Sequence, residues 1–550
     1  MVLHSRGILP MPCMGPWEGT GSILPIWQKG PAYLNARPAI VGPERVVMKR
    51  GRDRPMRSPS LTHLLPLLPL LLSTLTTAAP SCPTFESFSA SLKPLLTTST
   101  LSQQPIQRWS DYGAPTPAFI VTINAEADVP AVIKYASTNN LQFLLQSRGN
   151  GWADTFNLGP CGILINIAPL NTITFNADKT LATIGGGALT QDMVNAAYGN
   201  DTRFANPTCN CLGYLGASLG GGLTRAMGLY GMGVDQLVSA NLVLASGESV
   251  VVSATQNPDL FFAVRGAVGN FGVITSAVVK AYPVAGGQNG NVAWQGSLTF
   301  ADNQLEGLVQ AIHDLDLQPD MEIDFLFSVS PGVGAAVTAI PIFFGDTAQA
   351  EKAFAPILAL KPAVANQAAS VPYNHWADFG DTFCTPGLRK PVYGSSLSRA
   401  GLDPKTWRAV FEEFKTFTTT YPEAVNSSVL AEYYPVQKAV QLGGAYPHRD
   451  IPLHIVVIPL YEDQKLDGAA QAFGEKARAL LRATDPKLEN GTYINFAHGD
   501  ETLQEIYGES LPKLQQLKTQ YDPHNRFNQY FDITAGGSGT QHVSSARRRW

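Results

Sequence analysis

The 550-residue sequence is poor in charge and lacks several widespread ligand-binding patterns. Only 15% of its residues are charged and the formal net charge is −4, so it has no electrostatic field suited to nucleic acid or to an anionic membrane. The phosphate-binding patterns GxxxxGK and GxGxxG are both missing. Cys209 and Cys211 have no second pair of ligands at zinc-site spacing, so no metal site is predicted.

Long apolar runs are also scarce. The most apolar segment, a Leu- and Pro-rich run at 61–72, is too short and too often interrupted by proline for a membrane span. It follows a basic segment at 48–57 and precedes small residues at 76–79, an order typical of a signal peptide. We therefore expect a leader at 1–79, with a signal peptide at about 56–79, and a secreted protein. A cytosolic N-terminal extension with a membrane anchor is the alternative.

Two further features agree with secretion. Asn200, Asn426 and Asn490 each begin an Asn-x-Ser/Thr triplet, the acceptor of N-glycosylation. Removal of the leader would delete the first of the six cysteines and leave an odd number, so at least one sulfur is free or is bonded to something other than cysteine. Cys82–Cys161 is a plausible disulfide, but the sequence leaves the pairing open.

The spacing of apolar residues predicts an α+β protein. Between 80 and 286, short strands such as 119–123 alternate with helices, and Asp128 stands where it would cap the first of them. Between 287 and 485, long alternating strands such as 322–329 are expected to form an antiparallel sheet backed by helices.

The remaining C-terminal part divides into two. Residues 486–533 are expected to return to the first region, and the Gly- and Ser-rich stretch at 534–550 is predicted to be a disordered tail.

On the strand at 322–329, Glu322 and Asp324 alternate onto one face, which we expect to be solvated rather than catalytic.

Three glycine-rich segments, 146–152, 209–222 and 265–273, are the most unusual features of the sequence. In a loop such as the first, successive backbone N–H groups can form an anion-binding nest, and glycine lets the backbone approach a ligand closely. Plain glycine turns are the alternative reading of each.

These segments, together with the C-terminal Tyr521–Phe527, resemble the PCMH-type FAD-binding domain of the vanillyl-alcohol-oxidase superfamily, in its fungal berberine-bridge-enzyme-like branch. The resemblance covers most of residues 80–531. It implies a two-lobed FAD-binding domain at 80–286, a substrate domain at 287–485 with the antiparallel sheet, and a berberine-bridge-like segment at 486–533. FAD is the implied cofactor.

In the family, the first glycine-rich loop wraps the FAD diphosphate. The resemblance assigns this role to Ser147, Arg148, Gly149, Asn150 and Gly151. Asn150 occupies the position at which many members carry a histidine bonded to the flavin, so no histidyl link can form here. Arg148 replaces a glycine and would add positive charge, although a solvated loop arginine is equally compatible with the sequence.

The second segment is implied to lie against the flavin ring. Cys209 falls where some members form a cysteinyl–flavin bond; a free or disulfide-bonded thiol is the alternative, and non-covalent FAD is the expectation. Gly213, Gly216 and Gly220 would allow the chain to pack on the ring. Leu212 would lie near the flavin carbon that meets oxygen, which leaves O2 and another oxidant both open as the electron acceptor.

The resemblance also implies the remaining site residues. Gly272 and Val273 would contact the adenine side of FAD, and Asn495 would approach the flavin ring. Tyr493 would face the substrate and is the candidate catalytic base, with a packed strand aromatic as the alternative. The implied substrate-contacting residues are Trp152, Tyr434 and Tyr446. A second group of candidates for the base, each expected to be structural rather than catalytic, consists of Glu432, Tyr433, Tyr434, Tyr446 and His448.

The implied activity is an FAD-dependent oxidoreductase. It would move hydride to flavin from a small organic substrate, a secondary-metabolite-like alcohol, amine or ring C–H group, while a protein base removes a proton. A carbohydrate or primary-alcohol oxidase of the same fold is one alternative. A non-enzymatic secreted protein that retains the fold is the other.

Overall fold

A computed structural model describes residues 82–156, 158–330, 332–362, 368–485 and 491–534. The predicted leader and signal peptide, the Asn490 side chain and the tail from 535 onward lie outside these ranges. All described residues belong to one compact unit, Ala78–Trp550. No helix within the described ranges is long and apolar enough to cross a membrane.

The first sheet has four strands in the order β1-β2-β4-β3, of which β2, β3 and β4 are parallel. Its strands are β1 Thr100–Ser102, β2 Phe119–Thr122, β3 Phe143–Gln146 and β4 Ile163–Asn166. The helices α1 Phe85–Leu92 and α2 Val129–Thr138 bury apolar residues against it. The predicted strand at 119–123 is confirmed to within one residue.

Asp128 precedes α2 as predicted, but its side chain does not cap the helix. The carboxylate instead accepts hydrogen bonds from the backbone N–H groups of Thr97, Thr98 and Ser99 and from the Thr97 hydroxyl. The prediction of a cap was wrong because donors 29 to 31 residues away in sequence satisfy the buried carboxylate.

A second, antiparallel sheet follows in the order β5-β6-β10-β8-β9. Its strands are β5 Ile173–Phe175, β6 Leu181–Gly185, β8 Leu237–Val243, β9 Ser249–Ser253 and β10 Val273–Lys280, and a separate short pair is β7 Thr202–Arg203 with β11 Tyr282–Pro283. The helices of this part are α3 Thr190–Gly199, α4 Tyr214–Ser218, α5 Met227–Tyr230 and α6 Pro258–Ala267.

The largest sheet is antiparallel, in the order β16-β12-β15-β14-β18-β19-β17, with β13 paired to β15. Its strands are β12 Val292–Gln295, β13 Leu298–Ala301, β14 Met321–Ser330, β15 Gly334–Phe343, β16 Ala369–Pro372, β17 Tyr393–Leu397, β18 Ser428–Tyr433 and β19 Leu453–Ile458. The accompanying helices are α7 Leu305–Asp314, α8 Thr347–Ala353, α9 Ala355–Leu358, α10 Pro404–Thr420 and α11 Asp467–Arg482.

One face of this sheet and the helices α7, α10 and α11 share an apolar core. Alternate residues of β14 and β18 point into that core, so their other residues point to the opposite face. The predicted α+β class, with an antiparallel sheet backed by helices, is confirmed.

The C-terminal helices are α12 Leu503–Tyr507 and α13 Leu511–Tyr521; α13 packs against α6, and both contribute to the core of the second sheet. Two disulfides are formed, Cys82–Cys161, as the sequence suggested, and Cys211–Cys384. The second disulfide ties the chain before α4 to the segment that precedes β17. The chain thus closes on itself around the region between the second and largest sheets.

Candidate active site

A cavity of about 1030 Å³, counted with the open solvent at its mouth, collects the predicted motifs. It is lined by the loop after β3, by the segment before and within α4, by the turn at 493–497, and by one side chain of the largest sheet, Glu432.

The loop after β3 forms one wall, and all five of its predicted residues, Ser147 to Gly151, line the cavity. Gly149 has a φ of +75°, which favours glycine, and a Cβ on Gly151 would lie 2.5 Å from the Phe156 ring. Asn150 Oδ1 is buried without a hydrogen-bond partner among the described residues. The wall therefore presents a closely packed backbone and an unused amide oxygen.

Arg108 also lines the cavity, and the sequence analysis missed it. Its Nη1 donates to Gln146 Oε1 over 2.6 Å, its Nη2 donates to the Gly151 carbonyl over 2.9 Å, and its guanidinium lies over the Phe156 ring. Burial lowers the pKa of Arg108 to about 10. Only its place as the single cation between Lys93 and Lys134 in the sequence could have drawn attention to it.

Leu212, Gly213 and Gly216 line a second, adjoining wall. A Cβ on Gly213 would lie 2.8 Å from Ser147 Oγ, so glycine is needed where the two walls meet. Gly220 lies outside the lining and behind Asn495, because a Cβ there would come within 2.4 Å of Asn495 Oδ1.

Cys209 does not line the cavity. Among the cysteines that the structure describes it is the free one, while its neighbour Cys211 is bonded to Cys384. A Cβ on Gly380 would lie 2.7 Å from Cys209 Sγ, so the thiol faces that turn. Burial, and then repulsion from Glu432, raises the pKa of the Cys209 thiol to about 12, so at neutral pH it is not a thiolate.

Tyr493 and Asn495 both line the cavity and are hydrogen-bonded to each other. The Tyr493 hydroxyl oxygen accepts hydrogen bonds from Asn495 Nδ2 over 2.8 Å, from Gly222 N over 3.2 Å and from Leu223 N over 3.4 Å. Burial raises the pKa of Tyr493 to about 12, and these hydrogen bonds act in the opposite direction. The hydroxyl in turn donates to the Ala217 carbonyl over 3.4 Å, so Tyr493 is a neutral phenol whose ionised form would be met by three donors.

Glu432, on β18, is the acidic side chain of the cavity wall. Its Oε1 accepts from Thr208 Oγ1 over 3.4 Å, and its Oε2 is buried without a hydrogen-bond partner in the described part of the chain. Burial, and then repulsion from Asp324, raises the pKa of Glu432 to about 8, although Arg225 opposes the rise. At neutral pH this carboxyl therefore carries a proton.

The expectation that Glu322 and Asp324 are solvated was wrong. Both are buried, and Arg225 Nη1 lies 3.2 Å from a carboxylate oxygen of each. Asp324 pairs across the strands with Glu432, which places the two acids side by side on the sheet face opposite the helices. The alternating pattern of β14 was predicted, but at Glu322 and Asp324 its second face is covered by the segment carrying Arg225, so these two acids are buried.

Trp152 lines the cavity, and its indole Nε1 is buried without a hydrogen-bond partner among described residues. Its ring packs between Trp109 and Phe496, at centroid distances of 5.2 Å and 6.3 Å. Four other predicted residues lie outside the lining, and their roles stay predictions: Gly272, Val273, Tyr434 and Tyr446.

The residues of the cavity fit a flavin dinucleotide. A glycine-rich wall with two arginines, Arg108 and Arg148, suits an anionic centre. The buried, unused polar atoms of Asn150 and Trp152 offer sites for hydrogen bonds to a polar ligand.

Comparison with known proteins gives the same result. An FAD binding domain family matches residues 117–253, and the berberine and berberine-like family matches residues 492–530. The FAD-linked oxidoreductase OXR1 of Pyricularia oryzae is 32% identical over 435 residues, which cover 76% of this chain and 85% of that protein.

Two solved structures show the shared fold. Glucooligosaccharide oxidase from Acremonium strictum, described with a 6-S-cysteinyl, 8α-N1-histidyl FAD, matches with a TM-score of 0.70 and 17% identity, over 82% of this chain and 99% of that one. Physcomitrella patens BBE-like 1 matches with a TM-score of 0.67 and 16% identity, over 80% and 97%. The chain belongs to the berberine-bridge-enzyme-like family of FAD-linked oxidoreductases.

Proposed function

We propose that this FAD-dependent oxidoreductase removes hydride from a small, secondary-metabolite-like alcohol, amine or ring C–H group, with Tyr493 as the proton acceptor. The observation that carries the proposal is the convergence of three N–H donors on the hydroxyl oxygen of Tyr493, which lines the cavity. FAD, when bound, supplies the atom that accepts hydride.

Tyr493 Oη would take the proton that leaves the substrate. Burial alone makes its ionisation costly, and the N–H groups of Asn495, Gly222 and Leu223 offset part of that cost. To act as the base, Tyr493 has to be ionised first; the three donors hold the negative charge of the phenolate, and this charge is neutralised when Oη takes the proton.

Glu432 would hold a proton at its free Oε2 and donate it as a hydrogen bond to a substrate oxygen or nitrogen. Its raised pKa supports this role, because a neutral carboxyl can donate where a carboxylate cannot. Trp152 and Phe496 supply an aromatic wall for the apolar part of the substrate.

We propose that FAD is held without a covalent bond. Asn150 cannot form a histidyl link, and the protonated thiol of Cys209 lies outside the cavity lining. Acid precipitation should leave the flavin absorbance in the supernatant. Flavin retained in the pellet, and released in Cys209→Ala, would overturn this proposal.

The electron acceptor is proposed to be O2 or another small oxidant, with Leu212 controlling access. Its side chain lines the cavity, as a residue that limits the approach of oxygen must. Leu212→Ala should speed the reoxidation of reduced flavin by O2 in stopped-flow measurements. An unchanged rate would remove Leu212 from this role.

Secretion is proposed for the mature protein. Two disulfides support it, since such bonds persist in oxidising compartments, and Asn426 is exposed as a glycosylation acceptor must be. Expression of the full chain in a fungal host should yield glycosylated protein in the medium. Retention in the cytosol would contradict the proposal.

The activity is tested by anaerobic reduction of the bound flavin with a panel of aromatic alcohols, amines and oligosaccharides. Tyr493→Phe should slow flavin reduction by roughly 100-fold or more, the usual contribution of a positioned base. Tyr393→Phe is the matched control, because it removes a buried hydroxyl behind the sheet, away from the cavity. Equal effects of the two variants would refute the role of Tyr493, and preferential reduction by oligosaccharides would support the carbohydrate-oxidase alternative.

A further inference from the structure

Arg108 is a buried cation whose charge is not balanced by the protein. Its side chain is 8% exposed, and its two hydrogen bonds go to a neutral amide oxygen and a neutral carbonyl. No carboxylate of the described residues lies within 4.0 Å of its guanidinium, and burial is the sole cause of its lowered pKa. Burying an unpaired charge costs several kcal/mol, so a compensating anion is expected from outside the chain.

The surroundings of Arg108 indicate where that anion lies. The guanidinium spans the two ends of the glycine-rich loop, from Gln146 to Gly151, and lines the cavity beside the loop's backbone. Two of its five N–H groups are used, so three remain for a ligand. Arg148, whose Nε donates to the Gly187 carbonyl, brings a second cation to the same loop, partly offset by Asp192.

We propose that Arg108 binds the diphosphate of FAD. This contact would supply part of the attachment that covalent bonds to flavin supply in other proteins. The proposal rests on non-covalent FAD binding in this cavity. The diphosphate is the doubly anionic part of FAD, and the glycine loop braced by Arg108 is the part of the cavity built for an anion.

Arg203 provides a matched control. It is also a buried arginine, 9% exposed, whose Nε donates to Asn291 Oδ1, whose Nη2 donates to the Gly290 carbonyl, and whose guanidinium lies over an aromatic ring, that of Trp376. It does not line the cavity. Arg203→Gln thus repeats the chemical change of Arg108→Gln without touching the proposed anion site.

The test measures binding to flavin-free enzyme by fluorescence titration. Arg108→Gln should weaken FAD binding by about 10- to 100-fold, the loss expected for a charged hydrogen bond, while riboflavin affinity stays within about 3-fold. ADP, which contains the diphosphate and lacks the flavin, should compete with FAD in the wild type and in Arg203→Gln, and much less in Arg108→Gln. Arg108→Lys keeps the positive charge, so it should keep part of the preference for FAD and ADP over riboflavin.

Two results would overturn the proposal. If Arg108→Gln weakens riboflavin as much as FAD, the residue only braces the loop; if FAD affinity is unchanged, the anion it takes is not the diphosphate, and a substrate carboxylate becomes the partner to test. Should Arg108→Gln not fold, thermal protection of the wild type and Arg108→Lys by ADP gives the same comparison. Wild-type protein that binds FAD but is reduced by no substrate would refute the proposed activity and leave this inference standing.

Discussion

Glu432→Gln should remove a specific loss of stability that occurs as the pH rises from about 4.5 to about 8. The Glu432 side chain is 3% exposed, and its folded-state pKa is raised from 4.5 to about 8 by burial and by Asp324. Because the folded state holds this proton more tightly than the unfolded chain, the carboxyl contributes most to stability below pH 4.5, and the contribution is lost as the pH rises through about 8.

The magnitude follows from the two pKa values. The interval from 4.5 to about 8, at about 1.36 kcal/mol for each pH unit, corresponds to roughly 5 kcal/mol. About 3 kcal/mol of this falls between about pH 5.5 and about pH 8.5. Glutamine cannot ionise, so the variant should lose about 3 kcal/mol less unfolding free energy than the wild type across that range.

The assay is denaturant unfolding at the two pH values with equal flavin content, followed by tryptophan fluorescence and circular dichroism, whose transitions have to coincide. Glu248→Gln, on the exposed β8–β9 turn, is the control and should change the unfolding free energy by less than about 0.5 kcal/mol at either pH. Parallel pH dependences of wild type and Glu432→Gln would refute the buried, protonated state of Glu432.

Other variants test the surroundings of the cavity. Arg225→Gln should cost roughly 3 to 5 kcal/mol of unfolding free energy at neutral pH, since it leaves two buried carboxylates unpaired, and the cost should shrink in acid as they protonate. Gly220→Ala should displace Asn495 and slow flavin reduction by at least about 10-fold, whereas Gly443→Ala, with no atom within 4 Å of the new Cβ, should not. Cys384→Ala frees the loop before α4 and should raise the rate of FAD release in fluorescence measurements; an unchanged rate would contradict a tethering role of the disulfide.

The local features of the fold were predictable because they depend on neighbours in sequence. The alternating pattern at 322–329 predicted β14, and the apolar run at 119–123 predicted β2. The role of Asp128 was not, since a short polar side chain before a helix reads as a cap whether or not distant donors reach it first.

The residues of the site also fall into two groups, those that local sequence predicts and those that depend on distant contacts. Contiguous motifs predicted Ser147 to Gly151, Leu212 to Gly216, and Tyr493 with Asn495, and the structure brings these three groups to one cavity. Backbone loops of this kind are encoded by the residues within them, because glycine conformation and close packing are local properties.

Only the tertiary structure decided which charges are buried and what they face. Arg225 donates a hydrogen bond to Glu322, which lies 97 residues later in the sequence. Glu432, which lines the cavity, is protonated because it is buried beside Asp324 of β14. Arg108 donates hydrogen bonds to residues of the glycine-rich loop that lie 38 and 43 residues later. The cost of burying a charge depends on every group that surrounds it, so the protonation states and the anion site are properties of the folded chain, whereas the sequence by itself determined its strands, its glycine loops and its family.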